Sequence, residues 1–95
     1  MTPRYAAKAD SNQAEIVHAL RSVGADVFSL HRVGHGCPDI ICGWQGCNYL
    51  FEIKTETGKL TEQEREFIRT WSGQVSVVRC PEDALRILGL LESEE

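Results

Sequence analysis

The stretch that decides the fold is residues 39–54, Asp-Ile-Ile-Cys-Gly-Trp-Gln-Gly-Cys-Asn-Tyr-Leu-Phe-Glu-Ile-Lys. Two short apolar runs, at 39–42 and 49–54, flank a segment that contains two glycines. This pattern predicts a β-hairpin of two strands with its turn at 43–48. Gly34, Gly36 and Pro38 interrupt the chain just before the hairpin, so the first of these strands follows a loop.

A helix and a further strand are predicted before this loop. Ser11 or Asn12 is a suitable N-cap, and Gly24 is placed to end the helix. Apolar residues recur between them at helical spacing, at Ile16, Val17, Leu20 and Val23. Residues 27–30 then read as a short strand, and residues 1–10 as a loose N-terminal arm.

The segment after the hairpin predicts a helix, a strand and a last helix. Thr61 and Glu64 form a capping box that opens a helix ending before Gly73. Residues 74–79 contain a fourth strand, and Pro81 suits the first turn of a final helix. Leu85, Leu88 and Leu91 lie at core spacing in that helix.

The sequence therefore predicts an α/β fold, a small mixed β-sheet flanked by helices in the order α-β-β-β-α-β-α. The third and fourth strands flank a helix and are expected to be parallel neighbours joined by a right-handed crossover, whereas the earlier pairings are expected to be antiparallel. The whole chain, 1–95, is expected to form one domain, with an acidic tail at 92–95.

Composition narrows the classes of function. The 95 residues carry a net charge of −4, which excludes coating of nucleic acid by bulk charge but not a local basic groove. No stretch reaches the roughly 18 apolar residues that span a bilayer, and the N-terminus has no apolar signal core. We expect a cytoplasmic protein without membrane contact.

The four cysteines are interpreted first as free thiols of a reducing compartment. Their spacing, C-x₄-C-x₄-C with a distant fourth cysteine, does not match the close pairs of usual zinc sites. A zinc-bound interaction domain stays open as an alternative. These cysteines are Cys37, Cys42, Cys47 and Cys80.

Three charged residues of the hairpin form the candidate site. Strand side chains alternate, so Glu52 and Lys54 share one face, and the hairpin brings Asp39 near them if the register allows. An E-x-K pattern on a strand is often only a solvated face. Here the flanking residues are apolar, and Asp39 adds a negative charge that calls for a cation. Mg²⁺ suits such oxygen ligands, to which the carbonyl of Ile53 adds another.

At this point the sequence resembles a known family. Pro38-Asp39 followed by Glu52-Ile53-Lys54 is the signature of the PD-(D/E)xK nucleases, and the longer pattern, with residues 36–41 and 60–63, looks like their VRR-NUC (virus-type replication-repair nuclease) branch. The resemblance covers about residues 11–79. It implies a fold of helix, three strands, helix and strand, and Mg²⁺- or Mn²⁺-dependent cleavage of DNA phosphodiesters.

The resemblance also implies roles for single residues. Asp39 and Glu52 match the metal ligands, and Lys54 matches the catalytic lysine. Glu15 matches an acidic residue beside the metal, although it also fits an ordinary exposed helix glutamate. Gln63 matches a helix glutamine near the site, and a boundary glutamine bonded to backbone is an equal alternative.

A DNA-facing surface and partners are the last expectations. His31, Arg32, His35, Lys59 and Lys8 are candidates for phosphate contacts, against the alternative of scattered surface charge. Trp44 and Trp71 are candidates for base stacking, with a place in the core as the favoured alternative for Trp71. Short stand-alone phage and bacterial members of the family resemble Holliday junction resolvases, which implies branched DNA and a homodimer. The alternatives are a catalytically silent DNA-binding module and a nuclease that works with a helicase or replication-repair partner.

Overall fold

The computed structural model describes residues 4–92, with side chains described from Asn12 onward. The elements in chain order are α1 (Arg4–Ser22), β1 (Asp26–Ser29), β2 (Ile40–Trp44), β3 (Cys47–Ile53), α2 (Glu62–Thr70), β4 (Ser76–Val78) and α3 (Pro81–Ile87). The predicted α/β fold and its order are confirmed. Within the described part of the chain, none of the helices has the length and apolar character needed to cross a bilayer.

The four strands form one mixed sheet in the order β1-β2-β3-β4. β2 pairs with both β1 and β3 in antiparallel orientation, whereas β3 and β4 are parallel. The connection from β3 to β4 runs through α2, as a parallel pair requires. The predicted pairings are therefore confirmed.

The hairpin turn is shorter than predicted. Trp44 pairs with Cys47, so only Gln45 and Gly46 lie between the strands, and not the whole of 43–48. Both residues have positive φ, 49° and 83°. Two successive positive φ values are typical of a type I′ turn, whose twist matches that of the strands it joins. The strands can therefore continue to the tip.

The core lies on one face of the sheet, beneath α1 and α3. α1 contributes Ile16 and Leu20, and α3 contributes Ala84, all with no exposed surface. Alternate residues of the strands face them, namely Val27, Ile40, Cys42, Phe51 and Val78. The intervening residues, such as Ile41 and Leu50, lie on the opposite face, because strand side chains alternate. That opposite face is the one near α2.

The first helix starts earlier than predicted. It begins at Arg4, so residues 4–10 are helical and not a loose arm, and Ser11 lies inside the helix. Residues 5–9, Tyr-Ala-Ala-Lys-Ala, include four strong helix formers, which favour continuation beyond a nearby capping residue. Residues 1–3 and 93–95 lie outside the described part. The predicted stop at Gly24 is confirmed by its φ of 99°.

Two apolar residues expected in the core are instead exposed. α3 ends at Ile87, and Gly89, with φ 84°, redirects the chain, so Leu91 is 41% exposed. Trp71 follows the last residue of α2 and is 46% exposed. Helical spacing places Trp71 and Leu91 on the core side only if α2 and α3 extend through these residues. Both helices end before them.

Gly36 fixes the loop before β2 against the start of α2. A Cβ at this position would overlap the backbone carbonyl of Gln63, and φ is +79°. Gly34, in the same loop, also has a positive φ of 75°, but a Cβ there meets nothing within 4 Å. The two glycines therefore differ in one respect only, the close approach of α2.

Replacing Gly36 with alanine is expected to destabilise the protein more than replacing Gly34. Both substitutions place a Cβ at positive φ, which costs about 1–2 kcal/mol. Gly36→Ala adds the overlap with Gln63, which costs about 1–3 kcal/mol more. Urea denaturation of both variants measures the difference. Equal losses of unfolding free energy would show that α2 does not press on the loop.

Candidate active site

Asp39 is fixed by three hydrogen bonds at the entry to β2. Its backbone N–H donates to the carbonyl of Phe51 at 3.0 Å, and its carbonyl accepts from the N–H of Leu30 at 2.8 Å. Its carboxylate Oδ2 accepts from the N–H of Ile53 at 2.7 Å. The side chain is therefore held across the β2–β3 pair, where Ile40 opposite Phe51 sets the register.

Glu52 and Lys54 lie beside Asp39, as the alternation of strand residues predicts. Glu52 is 2% exposed and shares a hydrogen bond with Asp39. The ammonium Nζ of Lys54 lies 3.9 Å from Oε2 of Glu52. The predicted convergence of two carboxyl groups and one ammonium is thus present in the structure.

Glu64 is a fourth member of this cluster, and the sequence reasoning missed it. Its Oε1 lies 2.8 Å from Nζ of Lys54. The same oxygen accepts from the N–H of Thr61 at 2.8 Å, and the N–H of Glu64 donates to the Thr61 hydroxyl. The sequence shows the capping box, which by itself predicts only the start of a helix. It also turns the Glu64 carboxylate towards Lys54.

The two glutamates of the cluster have opposite pKa shifts. Burial, followed by the charges of Asp39 and Glu64, raises the pKa of Glu52 to about 9, and Lys54 offsets this only in part. Burial also disfavours the ionised form of Glu64, but hydrogen bonds from Lys54 and from the Thr61 backbone lower its pKa overall. Glu52 therefore holds its proton at neutral pH unless a further cation is supplied.

These groups line an open cleft of about 600 Å³ between α1, the sheet and α2. Its walls are mainly polar, and its lining includes Asn12, Gln13, Ser29, His31, Asp39, Glu52, Ile53, Lys54, Thr55 and Glu64. The amide Nδ2 of Asn12 donates to the carbonyl of Lys54 at 3.1 Å, which ties α1 to the end of β3.

The loop after Lys54 is held by Arg79. The guanidinium donates to the carbonyls of Thr55 at 2.6 Å and of Gly58 at 2.8 Å. The N–H of Lys54 also donates to the carbonyl of Val78 at 3.0 Å. Because these bonds fix the main chain on both sides of Lys54, its side chain starts from a defined position.

The donor set of the cleft fits a hard divalent cation. Three carboxyl groups, those of Asp39, Glu52 and Glu64, face the single ammonium of Lys54, and the excess is negative. Among the side chains of residues 12–92, no three His, Cys, Asp or Glu groups are placed to hold a metal ion by themselves. Mg²⁺ does not need such a group, because it is often bound by one or two carboxylates and keeps several waters. Asp39 and Glu52, with the backbone carbonyl of Ile53 at the end of β3, meet that lower requirement.

Two predicted site residues do not line the cleft. Glu15 is exposed on α1, where Asn12 and Gln13 line the cleft instead. Gln63 is exposed, and its backbone lies against Gly36. Helical geometry explains both differences, because a shift of one or two positions rotates a side chain by 100–200° around the helix. Glu64, and not Gln63, faces the lysine.

The predicted DNA-facing residues are not brought together. His31 lines the cleft, whereas His35, with φ 59°, lines a separate apolar groove. Arg32 and Lys59 are exposed and line neither of these concavities. Lys8 lies in α1, and its side chain is outside the described part. The described residues therefore show no continuous basic surface beside the cleft.

The cysteines form no metal site among the described residues. All four are free thiols, at depths from buried Cys42 to exposed Cys47. Burial, and then the charges of Glu52 and Asp39, raise the pKa of Cys37, which keeps its thiol protonated. A zinc centre built from cysteine and histidine has no support among the side chains described, those of residues 12–92.

Comparison with known proteins finds no match for this chain among protein-family models, curated proteins or solved structures. The chemistry of the cleft is therefore inferred from its own side chains. The feature that any interpretation must explain is the burial of Glu52 beside two other carboxyl groups.

Without added metal, the protein is expected to become less stable as pH rises from about 4.5 to about 9. A raised pKa means that the folded state keeps a proton that the unfolded state has lost in this range, so unfolding is favoured as pH rises. The slope from Glu52 is at most about 1.4 kcal/mol per pH unit. Urea denaturation in EDTA at pH 5, 7 and 9 measures it.

Glu52→Gln is expected to reduce this slope, because an amide carries no titrating proton. Glu62→Gln is the matched control, since the Glu62 side chain is 96% exposed. It should keep the wild-type slope. An unchanged slope in the Glu52→Gln variant would show that this carboxyl group is ionised in the folded protein at neutral pH.

Proposed function

We propose that this protein is a metal-dependent endonuclease that hydrolyses DNA phosphodiester bonds. The observation that carries the proposal is the buried Glu52 carboxyl group beside the half-buried Asp39 and next to Lys54, in an open polar cleft. A buried, excess negative charge is costly unless a cation offsets it. The resemblance of residues 36–41 and 51–54 to the VRR-NUC signature supports the same interpretation.

Each residue of the cluster has a defined task in this proposal. Asp39 and Glu52, with the Ile53 carbonyl, hold Mg²⁺ or Mn²⁺. The bound metal would lower the pKa of a water and offset charge that develops on the phosphate. Lys54 donates hydrogen bonds to the attacking water or to a phosphate oxygen. The N–H of Ile53 already fixes Oδ2 of Asp39, so the carboxylate needs no rearrangement to bind the metal.

Glu64 acts as a positioning residue for Lys54. An ammonium on a four-carbon stem has many conformations, and the 2.8 Å contact with Glu64 selects one that faces the carboxyl pair. Glu64 in turn is fixed by the N–H of Thr61. The lysine is therefore oriented by the first turn of α2 and not only by its own strand.

The proposed substrate is branched DNA, and the proposed assembly is a homodimer that presents two clefts. Leu90 and Leu91 are exposed after α3 and are available to a second copy. A silent DNA-binding module is the second candidate function, as is a nuclease that depends on a helicase or repair partner. The presence of Asp39, Glu52 and Lys54 at all three catalytic positions of the signature favours a nuclease over a catalytically silent module.

A cleavage assay tests the proposal directly. The substrates are synthetic four-way junction, flap, single-stranded and plain duplex DNA, each with Mg²⁺, with Mn²⁺ and with EDTA. Metal-dependent products that disappear in EDTA are expected. Binding of the same DNAs without any products under every condition would favour the silent module.

Asp39→Asn and Glu52→Gln are each expected to lower the cleavage rate by at least about a hundredfold, because each removes an anionic ligand of one cation. Both should also remove the rise in Tm that added Mn²⁺ causes. Asp26→Asn is the control, since Asp26 is exposed on β1 and does not line the cleft. Wild-type rates in either site variant would refute the assignment.

Lys54→Met is expected to lower the rate by about a hundredfold while the Tm response to Mn²⁺ persists, because lysine is not a metal ligand. Glu64→Gln keeps an oxygen for the Thr61 N–H but loses its charge, and the rate should fall by about tenfold. Single-turnover cleavage measures both. A Lys54 variant that no longer responds to Mn²⁺ would contradict the separate roles.

A further inference from the structure

A second concavity adjoins the cleft. It is a groove of about 610 Å³ between α2 and the sheet face opposite the core. Its walls are mainly apolar and include Leu30, Val33, Ile41, Leu50, Phe67 and Trp71. This volume lies within the usual range of small-ligand sites. The charged residues of the cleft, Asp39, Glu52, Lys54 and Glu64, do not line this groove.

The groove and the cleft lie on the same face of the sheet. Ile41 pairs with Leu50, and two residues further along the same strands lie Asp39 and Glu52. Two residues of a strand span about 7 Å, so the apolar pair and the carboxyl pair are adjacent rows of one surface. Cys37 lines the groove and also interacts with the charges of Glu52 and Asp39, which places it on the border.

One face of α2 covers both concavities. Glu64 contacts Lys54 in the cleft, and Phe67 and Trp71, three and seven residues later, line the groove. The spacing of Glu64 and Phe67 keeps these two side chains on one side of the helix, and Trp71, directly after the last residue of α2, stacks on Phe67. The helix therefore runs from the carboxyl groups to the aromatic rings.

The two rings form a stacked pair that is open to solvent. Phe67 and Trp71 lie 5.0 Å apart between centroids with an angle of 19° between their planes. Trp71 is 46% exposed. The groove offers apolar surface and flat rings, which bind the face of a planar ring and not a phosphate.

We propose that this groove binds an unpaired nucleobase of the DNA strand whose phosphate occupies the cleft, with the base packed on Trp71. The inference rests on the proposed nuclease function and adds a substrate class to it. A base inside a duplex is already stacked on its neighbours, so only a base that has left the stack is able to enter. His35 and Asn48 at the groove supply polar groups for the edge of the base.

The substrate selected in this way is DNA with unpaired nucleotides next to the scissile bond. A flap, a single strand or an open branch point meets the requirement, and a continuous duplex does not. The selectivity for DNA structure then comes from the aromatic groove and not from a basic surface.

Tryptophan fluorescence tests the inference without cleavage. Trp44→Phe leaves Trp71 as the single tryptophan, and EDTA prevents hydrolysis. The probes are flap DNAs in which each unpaired nucleotide near the branch is replaced in turn by an abasic site. We expect quenching of Trp71 by the intact flap and loss of that quenching at one abasic position. Affinity, measured by anisotropy of labelled DNA, should fall there by roughly 5- to 150-fold.

Trp71→Ala should weaken binding of the intact flap by a similar factor, and the abasic site should then add no further loss. Val33→Ser is a second groove variant, at a position 54% exposed, in case Trp71→Ala does not fold. Phe28→Ala is the control, because Phe28 is 72% exposed on β1 and does not line the groove. It should leave the affinity unchanged.

Three results would overturn the inference. One is an abasic effect of equal size in the wild type and in the Trp71→Ala variant. Another is binding of the flap without any change in Trp71 emission. The third is Trp71 emission that shifts with protein concentration in the absence of DNA, because a second copy would then cover the groove.

The same DNAs, incubated with Mg²⁺ or Mn²⁺, separate this inference from the nuclease proposal. A cleavage rate that changes neither with Trp71→Ala nor with the abasic site overturns the base subsite but not the nuclease function. Base-dependent quenching without cleavage supports the subsite and overturns the nuclease function.

Discussion

The burial of the Glu52 carboxyl group beside Asp39 is the constraint on which the rest of the structure depends. The hairpin register places the two groups side by side, and the backbone N–H of Ile53 fixes one oxygen of Asp39. Lys54 offsets only part of the negative charge, because it is shared with Glu64. A folded domain this small has little stability to spare. A buried carboxyl group that ionises at neutral pH only with a further cation points to a function for the site and not to a contribution to folding.

The sheet divides the molecule into two sides with different roles. On one side, α1 and α3 bury the apolar residues that hold the chain together. On the other side, α2 has no buried residue and lies over the carboxyl groups and the aromatic groove. α2 is held at its start, by its capping box and by the close approach of Gly36 to Gln63. Stability and the proposed chemistry are therefore built on opposite faces of the same four strands.

The fold and the centre of the site were predictable from local patterns. Strand alternation placed Glu52 and Lys54 on one face, and the Thr61–Glu64 capping box located α2. The predictions that failed depend on how the elements pack in space, which the local sequence pattern does not contain. The resemblance favoured Gln63, but only the helix orientation in space decides that Glu64 faces Lys54. The aromatic groove also escaped prediction, because the spacing of Phe67 and Trp71 fits a core face as well as an open one.

The double use of a single Glu64 oxygen limits how this site is able to change during evolution. That oxygen caps α2 through the Thr61 N–H and also binds the Lys54 ammonium. A glutamine retains the cap without the charge, and an aspartate has the charge on a side chain one methylene shorter. A substitution that adjusts the lysine therefore also alters the start of the helix, so the two properties cannot be selected independently. Variation in this protein is expected to be easier at the rim of the groove, where a side chain such as Val33 is exposed and serves a single role.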